Sequence, residues 1–585
     1  MNSLFINERS LAAISWQAFE RVVCRLLKAE RYEGVRLVGQ TSDHGADVIA
    51  HKHGKRWLFQ IKRWKNKLGI TVLDETLASL QVYRAAIPVV VAINGFDDQS
   101  REHQRVLLSR GVPMQLWDRS DLLRRVARLG ETFDQVPPPR DYQEQAIQTT
   151  IQAWQENFTR RAMIVMATGL GKTYTAAEVV RRLNTLKPLR ALVLAHTNEI
   201  VYQLERAFWP FLKPSQETLV WNGYERPNED DLQRAPLVFA CLNSVASHIE
   251  SGATLPDFDI ILIDECHHVG GDMYKRIIST TSAGNTGGPF LLGLTATPWR
   301  PDETDLSSYF GEPLFTMDMV TGLKLGFLAN VDYRMYTDNI NWAALPALKG
   351  TRLAPREINR TLFISEWDNA VVGQFQRAWA EQTRPRAIVF CGTIDHAITM
   401  RDQINALGFC NAAAIYSQTQ GGQSLQGWER NRILCDFHDG KINVICAVDV
   451  FNEGVDVPDV NLIVFQRVTH SRRIFIQQLG RGLRLAEGKQ KVIVLDFVSD
   501  IRRFAAGINL KNSLEEAEAP LEFPSSGRPI RIRLQHTVSF RRAGESDPSS
   551  ETFLRQWLED VATIEDAGED ASILKFPPQL SGGRL

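Results

Sequence analysis

The sequence predicts a multidomain α/β protein, and three observations carry that prediction. Apolar, β-rich runs alternate with helical stretches in two separate series, each the pattern of a parallel sheet with crossover helices. A shorter α/β unit precedes them, set apart by Pro137, Pro138 and Pro139, which can neither donate backbone hydrogen bonds nor continue a helix. At 585 residues the chain is also far longer than one hydrophobic core organises. Its 44% hydrophobic and 23% charged residues are ordinary globular composition, and with a formal net charge of −1 any surface for a polyanion must be local.

In the first unit, Phe19, Val22, Val23, Leu26 and Leu27 recur at helical spacing, so 15–27 reads as an amphipathic helix. Gly54 lies between two extended segments, 47–51 and 56–61, as in a hairpin. The β-branched run 89–93 suits a buried strand, and a helix over 98–110 leads to a further strand over 114–117. The stretch 131–140 reads as a linker, which places the first domain at 1–136.

Strands are expected next at 163–165, 191–194, 237–240, 260–263 and 291–294, giving a first lobe over 137–318. A second series at 387–390, 412–415, 444–447, 462–465 and 492–495 gives another lobe over 386–515, with 319–385 bridging the two. Residues 516–585 form a C-terminal extension of unreadable role. There Arg528, Arg531 and Arg533 alternate with Ile530, Ile532 and Leu534 like a half-exposed strand, and 551–564 has a helical apolar face.

The strongest chemical signal is Ala167-Thr168-Gly169-Leu170-Gly171-Lys172-Thr173, between an apolar run and a helical stretch. Glycines let the backbone close around phosphate, the helix N-terminus faces the anion, Lys172 reaches the β and γ phosphates of ATP, and the Thr173 hydroxyl can ligate Mg²⁺. Met166 stands where the strict phosphate-loop pattern has its first glycine. A second element, Asp264-Glu265-Cys266-His267, ends the apolar run 260–263: Asp264 can hold Mg²⁺ through water, and Glu265 can orient or deprotonate the attacking water.

These residues resemble the DExH form of superfamily 2 helicases, and other boxes of that family follow in order. Arg140-Asp141-Tyr142-Gln143 resembles the adenine-reading glutamine motif, which gives Gln143 a nucleotide contact. Ala195-His196-Thr197 and Asn243-Ser244 resemble strand-contacting motifs, and Thr295-Ala296-Thr297-Pro298 resembles the box that couples ATP state to nucleic acid. In the second lobe, 388–391 resembles the opening strand, and 452–458 with Gly454 and Asp456 resembles motif V. Residues 477–484 resemble motif VI, with Gln477 at the nucleotide and Arg481 and Arg484 as candidate arginine fingers on the γ phosphate. The resemblance spans about 137–515 and lies nearest the motor subunits of restriction enzymes and the excision-repair helicases. It implies two RecA-like lobes, His267 among the nucleotide-site residues, and a motor driven by ATP.

In the first unit, Asp47 opens one predicted strand while Gln60 and Lys62 share a face of the next. A carboxylate, an amide oxygen and an ammonium across a hairpin suit metal-assisted phosphodiester hydrolysis. Asp47 would bind Mg²⁺, Gln60 would complete its shell, Lys62 would position or activate water, and Glu20 could add an oxygen ligand. Phe19-Glu20, Gly34, Asp43-His44-Gly45-Ala46-Asp47 and Gln60-Ile61-Lys62-Arg63 resemble the Mrr-like branch of the PD-(D/E)xK nucleases, over about residues 5–128. The resemblance implies a PD-(D/E)xK nuclease fold ahead of the two lobes. Residues 1–136 carry 21 Lys and Arg against 15 Asp and Glu, with Lys62, Arg63, Lys65 and Lys67 clustered, whereas 515–585 carry 8 against 13.

The resulting expectation is an ATP-driven DNA helicase or translocase with a Mg²⁺-dependent endonuclease, acting on double-stranded DNA and restricting foreign DNA. Partner defence proteins are compatible with it, and the oligomeric state is open. Two alternatives stand: a repair enzyme for damaged or branched DNA, and a motor whose N-terminal domain only binds DNA. Seven scattered cysteines without a CxxC pair read as reduced thiols. The start of the chain lacks a signal pattern and no run approaches 18 apolar residues, so a soluble cytoplasmic protein without membrane contact is expected.

Overall fold

The computed structural model describes residues 4–38, 45–130, 136–156, 160–268, 272–296, 306–318, 321–322, 325–337, 365–416, 427–448, 460–466, 491–498 and 538–542, with single residues 425, 485 and 489. Two compact units divide the chain, with their main border close to Asp318. Both are α/β.

The N-terminal domain runs α1 (Glu8–Ala13), α2 (Trp16–Ala29), β1 (Glu33–Leu37), β2 (Val48–Lys52), β3 (Lys55–Lys62), α3 (Ile70–Tyr83), β4 (Ile87–Ala92), α4 (Asp98–Ser109), β5 (Gln115–Asp118) and α5 (Arg119–Ala127). Its five strands lie in the order β1-β2-β3-β4-β5, antiparallel as far as β3 and parallel from β3 to β5. The β2–β3 hairpin turns through His53 and Gly54, both at positive φ (52° and 68°), the two-residue geometry that matches strand twist. Capping fixes the helices: Ser15 Oγ accepts from Ala18 N at 3.2 Å to start α2, and Asp97 accepts from Ser100 N at 2.7 Å to start α4. Helix α3, which the sequence pattern did not single out, buries Val72, Leu73, Thr76, Ser79 and Tyr83.

The first lobe comprises α6 (Asp141–Glu156), β6 (Arg161–Met166), α7 (Lys172–Leu186), β7 (Ala191–Ala195), α8 (Asn198–Phe208), β8 (Thr218–Trp221), α9 (Glu229–Arg234), β9 (Leu237–Cys241), α10 (Leu242–Glu250), β10 (Ile260–Ile263), α11 (Asp272–Thr281), β11 (Phe290–Thr295), α12 (Ser307–Phe310) and β12 (Pro313–Met317). The seven strands are parallel, in the order β12-β6-β11-β10-β7-β9-β8. Helices cover both faces of such a sheet, so its strands need apolar side chains at every position; β7, β9 and β10 are buried throughout.

In the second unit the strands β13 (Asn330–Thr337), β14 (Ala387–Cys391), β15 (Ala412–Ile415), β16 (Val444–Ala447), β17 (Leu462–Gln466), β18 (Lys491–Val498) and β19 (Val538–Arg542) form a parallel sheet in the order β15-β16-β14-β17-β18-β13-β19. This redraws two borders expected from sequence. Strand β13 and helix Ser365–Ala380 lie within the expected 319–385 bridge. Yet β13 pairs with β18 over its whole length, and Val371, Val372, Phe375 and Ala378 enter the second core. Strand β19 likewise draws part of the 516–585 extension into this sheet. The Arg-Ile alternation at 528–534 and the expected helix at 551–564 lie outside the described residues.

The proline stretch reads as a linker between the N-terminal domain and the first lobe, and within the first unit the two are joined by buried ion pairs as well. Arg21 of α2 donates through Nη1 to Glu205 of α8 at 2.6 Å, and through Nε and Nη2 to both oxygens of Glu225 at 3.2 and 3.1 Å. All three side chains are buried. Burial alone would lower the Arg21 pKa; Glu205 and Glu225 more than offset it and hold the guanidinium above its ordinary value. Around this clamp Phe5 N donates to Pro214 O at 2.7 Å, Asn7 Nδ2 to Glu217 at 2.8 Å and Arg25 Nη2 to Lys213 O at 3.2 Å.

Candidate functional site

Two sites occupy the first unit. At the end of β6 the chain turns through Gly169 and Gly171 (φ 90° and 88°) and enters α7 at Lys172. Gly171 is required twice over: L-residues disfavour that φ, and a Cβ there would meet Gln143 Nε2 at 2.5 Å. Gln143 is itself fixed by accepting from Arg140 N at 2.9 Å, which sets its amide against the loop.

Strand β10 delivers Asp264 and Glu265 beside it. Lys172 Nζ lies 2.8 Å from Glu265 Oε1, so arriving phosphates would compete with Glu265 for the ammonium. Glu265 has φ 49°, an uncommon value for a residue with a side chain and the kind of strain that functional sites hold. Asp264 is buried; burial, then the charge of Glu265, push its carboxyl up to about 6 against the pull of Lys172. Its Oδ1 has no hydrogen-bond partner among the described residues. A bare buried carboxylate oxygen fits a divalent cation, which would neutralise phosphate charge when bound. His267 Nδ1 lies 3.0 Å from Thr295 Oγ1 and 3.3 Å from Glu265, which ties the DExH strand end to the end of β11.

In the N-terminal domain, Asp47 precedes β2 and is 4% exposed. Its Oδ2 accepts from Ile61 N at 2.5 Å and lies 3.6 Å from Lys62 Nζ. Asp47 and Lys62 are thus brought together across the hairpin. Gln60 is buried on the same strand, but its side chain is held from α3: its Oε1 accepts from the Thr76 hydroxyl, and its Nε2 faces Glu75 at 3.4 Å. An amide oxygen has two lone pairs, so the Thr76 bond orients Gln60 and leaves one lone pair for a cation. Glu20 is buried on α2, one residue before Arg21. Carboxylate and amide oxygens of this kind suit Mg²⁺, whose chemistry there would be to polarise a phosphodiester and acidify water. Thr76 and Glu75 escaped the sequence reading because α3 did; the helical recurrence of Val72, Leu73 and Thr76 was the available signal.

Family comparisons agree with this order of sites. Residues 11–126 match the family described as "Restriction endonuclease", of the Mrr catalytic type; 137–300 match "Type III restriction enzyme, res subunit"; and 370–486 match "Helicase conserved C-terminal domain". The chain joins an Mrr-type restriction endonuclease domain to a superfamily 2 helicase pair. Among relatives, the Type I restriction enzyme EcoAI endonuclease subunit of Escherichia coli is 30% identical over 72% of this chain and 55% of its own length. A putative mitochondrial ATP-dependent helicase, irc3 of Schizosaccharomyces pombe, is 27% identical over 63% and 59%. The chain therefore spans little more than half of these relatives. The solved structure of the Type ISP restriction-modification enzyme LlaBIII bound to DNA has a TM-score of 0.51 at 17% identity, over 95% of this chain and 42% of that one, a likeness of fold.

Gly454, Asp456, Gln477, Arg481 and Arg484 of the helicase pair, Thr297 and Pro298 of the coupling box, and Asp43 and His44 of the Mrr-type domain lie outside the described residues. All seven cysteines are free and buried. Among the described residues no helix is long and apolar enough to cross a membrane.

Proposed function

We propose that this chain is an ATP-driven DNA translocase that carries its own Mg²⁺-dependent endonuclease and restricts foreign DNA. The observation that carries the reading is the coexistence in one compact unit of a phosphate-loop lysine paired with a strand-end glutamate, Lys172 with Glu265, and an Asp47–Lys62 pair on a nuclease hairpin.

For the motor, Lys172 would hold the β and γ phosphates, Asp264 and Thr173 the cation, Glu265 the attacking water, Gln143 the adenine, and Arg481 and Arg484 the γ-phosphate charge. The His267–Thr295 bond offers a path by which a change at Glu265 reaches the nucleic-acid side of the lobe. For the nuclease, Asp47, Gln60 and Glu20 would hold the cation while Lys62 orients water and steadies charge on the scissile phosphate. The Asp47–Lys62 pairing speaks for a working site over a domain that only binds DNA. The relative named as a Type I restriction enzyme endonuclease subunit favours restriction; the one named as a General transcription and DNA repair factor IIH helicase/translocase subunit, XPB2 of Arabidopsis thaliana, 26% identical over 60% of this chain and 44% of its own length, keeps repair as the second reading.

The test is ATP hydrolysis and plasmid cleavage by the full chain, with and without DNA, ATP and Mg²⁺. Lys172→Ala should abolish DNA-stimulated hydrolysis while leaving folding intact. Asp47→Ala and Lys62→Ala should abolish cleavage and spare hydrolysis. Cleavage that persists in both nuclease variants defeats the nuclease assignment; hydrolysis that persists in Lys172→Ala defeats the motor.

A further inference from the structure

The segment that leaves β3 carries a feature the proposed chemistry does not use. Directly after Lys62 the chain reads Arg63-Trp64-Lys65-Asn66-Lys67, and every one of these five residues is exposed. Trp64 is 54% exposed and, apart from Trp16 at the start of α2 (56%), stands out against Tyr32, Trp57, Phe59 and Trp117 of the same domain, which form one buried cluster. An indole left in water forgoes much of the apolar burial it could gain, so its display needs a reason.

The turn is also rigid. Asn94 Nδ2 donates to the carbonyls of Trp64 at 2.7 Å and Lys65 at 3.2 Å, Ile93 N donates to Lys62 O at 3.4 Å, and Leu68 bonds to Gly95 and Asp97. Its backbone is thus anchored on the β4–α4 loop while the side chains stay in solvent. Among the described residues no carboxylate lies within ion-pair range of Arg63 or Lys65. Three cations around one exposed indole call for an anionic partner with flat apolar faces, which is nucleic acid.

Position makes the partner specific. Trp64 follows Lys62 by two residues, so its Cα lies at most about 7 Å from that of Lys62, about two nucleotide rises along a strand. The geometry points to a base-stacking contact: Trp64 stacks on an unpaired or unstacked base next to the phosphate cut at Asp47–Lys62, with Arg63, Lys65 and Lys67 on the flanking phosphates. This rests on the nuclease reading and deepens it, because it makes the domain prefer DNA whose strands are parted, the form that a motor on the same chain can generate.

The experiment uses the full chain, a single-stranded oligonucleotide carrying 2-aminopurine, and two Mg²⁺ cleavage substrates, one fully paired and one with a short unpaired bubble. Wild type should quench 2-aminopurine and cut the bubble faster. Trp64→Ala should lose the quenching, weaken single-strand affinity about 5- to 100-fold, as one lost stacked base implies, and erase the preference for the bubble. Trp64→Phe should retain most of all three, and Lys65→Ala should weaken both substrates alike with a shallower salt dependence. Single-strand affinity of Trp64→Ala within twofold of wild type overturns the proposal and leaves the turn to a protein partner; so does an equal loss on paired and bubble DNA. A wild type that binds and quenches but never cuts removes the nuclease reading and leaves the stacking contact standing.

Discussion

Arg21→Ala is the sharpest test of how the nuclease domain is mounted. The guanidinium spans Glu205 and Glu225, whose side chains are 0% and 6% exposed, and it makes one bond of 2.6 Å and two of 3.1–3.2 Å. Removing it strands two carboxylates in a buried setting, a loss of about 3–5 kcal/mol when one side of a buried pair is deleted. An exposed pair would be worth about 0–1 kcal/mol. Urea unfolding of the full chain reads the difference, and the loss should also split the transition, with the N-terminal domain melting ahead of the first lobe. Arg21 keeps its charge across the working range, because its partners hold its pKa above the ordinary guanidinium value. Because the arginine stays charged in the wild type, any easing of the deficit in acid comes from protonation of the stranded carboxylates in the variant. Replacing all three by apolar residues of similar volume, Arg21→Met with Glu205→Leu and Glu225→Met, should recover most of the loss, since the charges then leave together. A deficit under about 1 kcal/mol, or a triple variant as weak as the single one, would refute the buried clamp.

Three further outcomes follow from the two sites. Asp264→Asn should stabilise the chain without ATP or Mg²⁺ while abolishing hydrolysis. Its carboxyl is pushed up to about 6, so its contribution is favourable while it is protonated and is lost as pH rises from its ordinary value through about 6. The gain in melting temperature should therefore be seen above about pH 6, worth up to about 3 kcal/mol, and vanish in acid; a gain that persists below about pH 4 contradicts this cause. Gly171→Ala should cost about 1–2 kcal/mol and nucleotide binding together, and adding Gln143→Ala should relieve the contact but not the strain at φ 88°; full rescue by the double variant would locate the whole effect in the contact. Thr76→Val frees Gln60 Oε1 and should weaken the Mg²⁺ dependence of cleavage about 10- to 100-fold with little change at saturating Mg²⁺, read by metal titration; an unchanged titration would show that Thr76 does not position Gln60.

The sequence by itself announced strands of both sheets and the phosphate loop, for a local reason. Strands buried on both faces of a parallel sheet must be apolar at each position, so Ile260–Ile263 and Ala412–Ile415 announce themselves, and the phosphate loop is seven consecutive residues whose glycines are set by backbone conformation. The hairpin of Asp47 and Lys62 was equally legible from strand period and a turn glycine. What only the tertiary structure decided lies at long sequence separation. Arg21 meets Glu205 and Glu225 some two hundred residues away, Gln60 is turned toward Thr76 on a helix whose polar and apolar positions blur, and β13 and β19 find their places beside β18 from stretches that looked like a bridge and a tail. Periodicity reports which face of an element is buried. It carries no information on which distant element does the burying, and that choice is made by packing and by the need to pair buried charge.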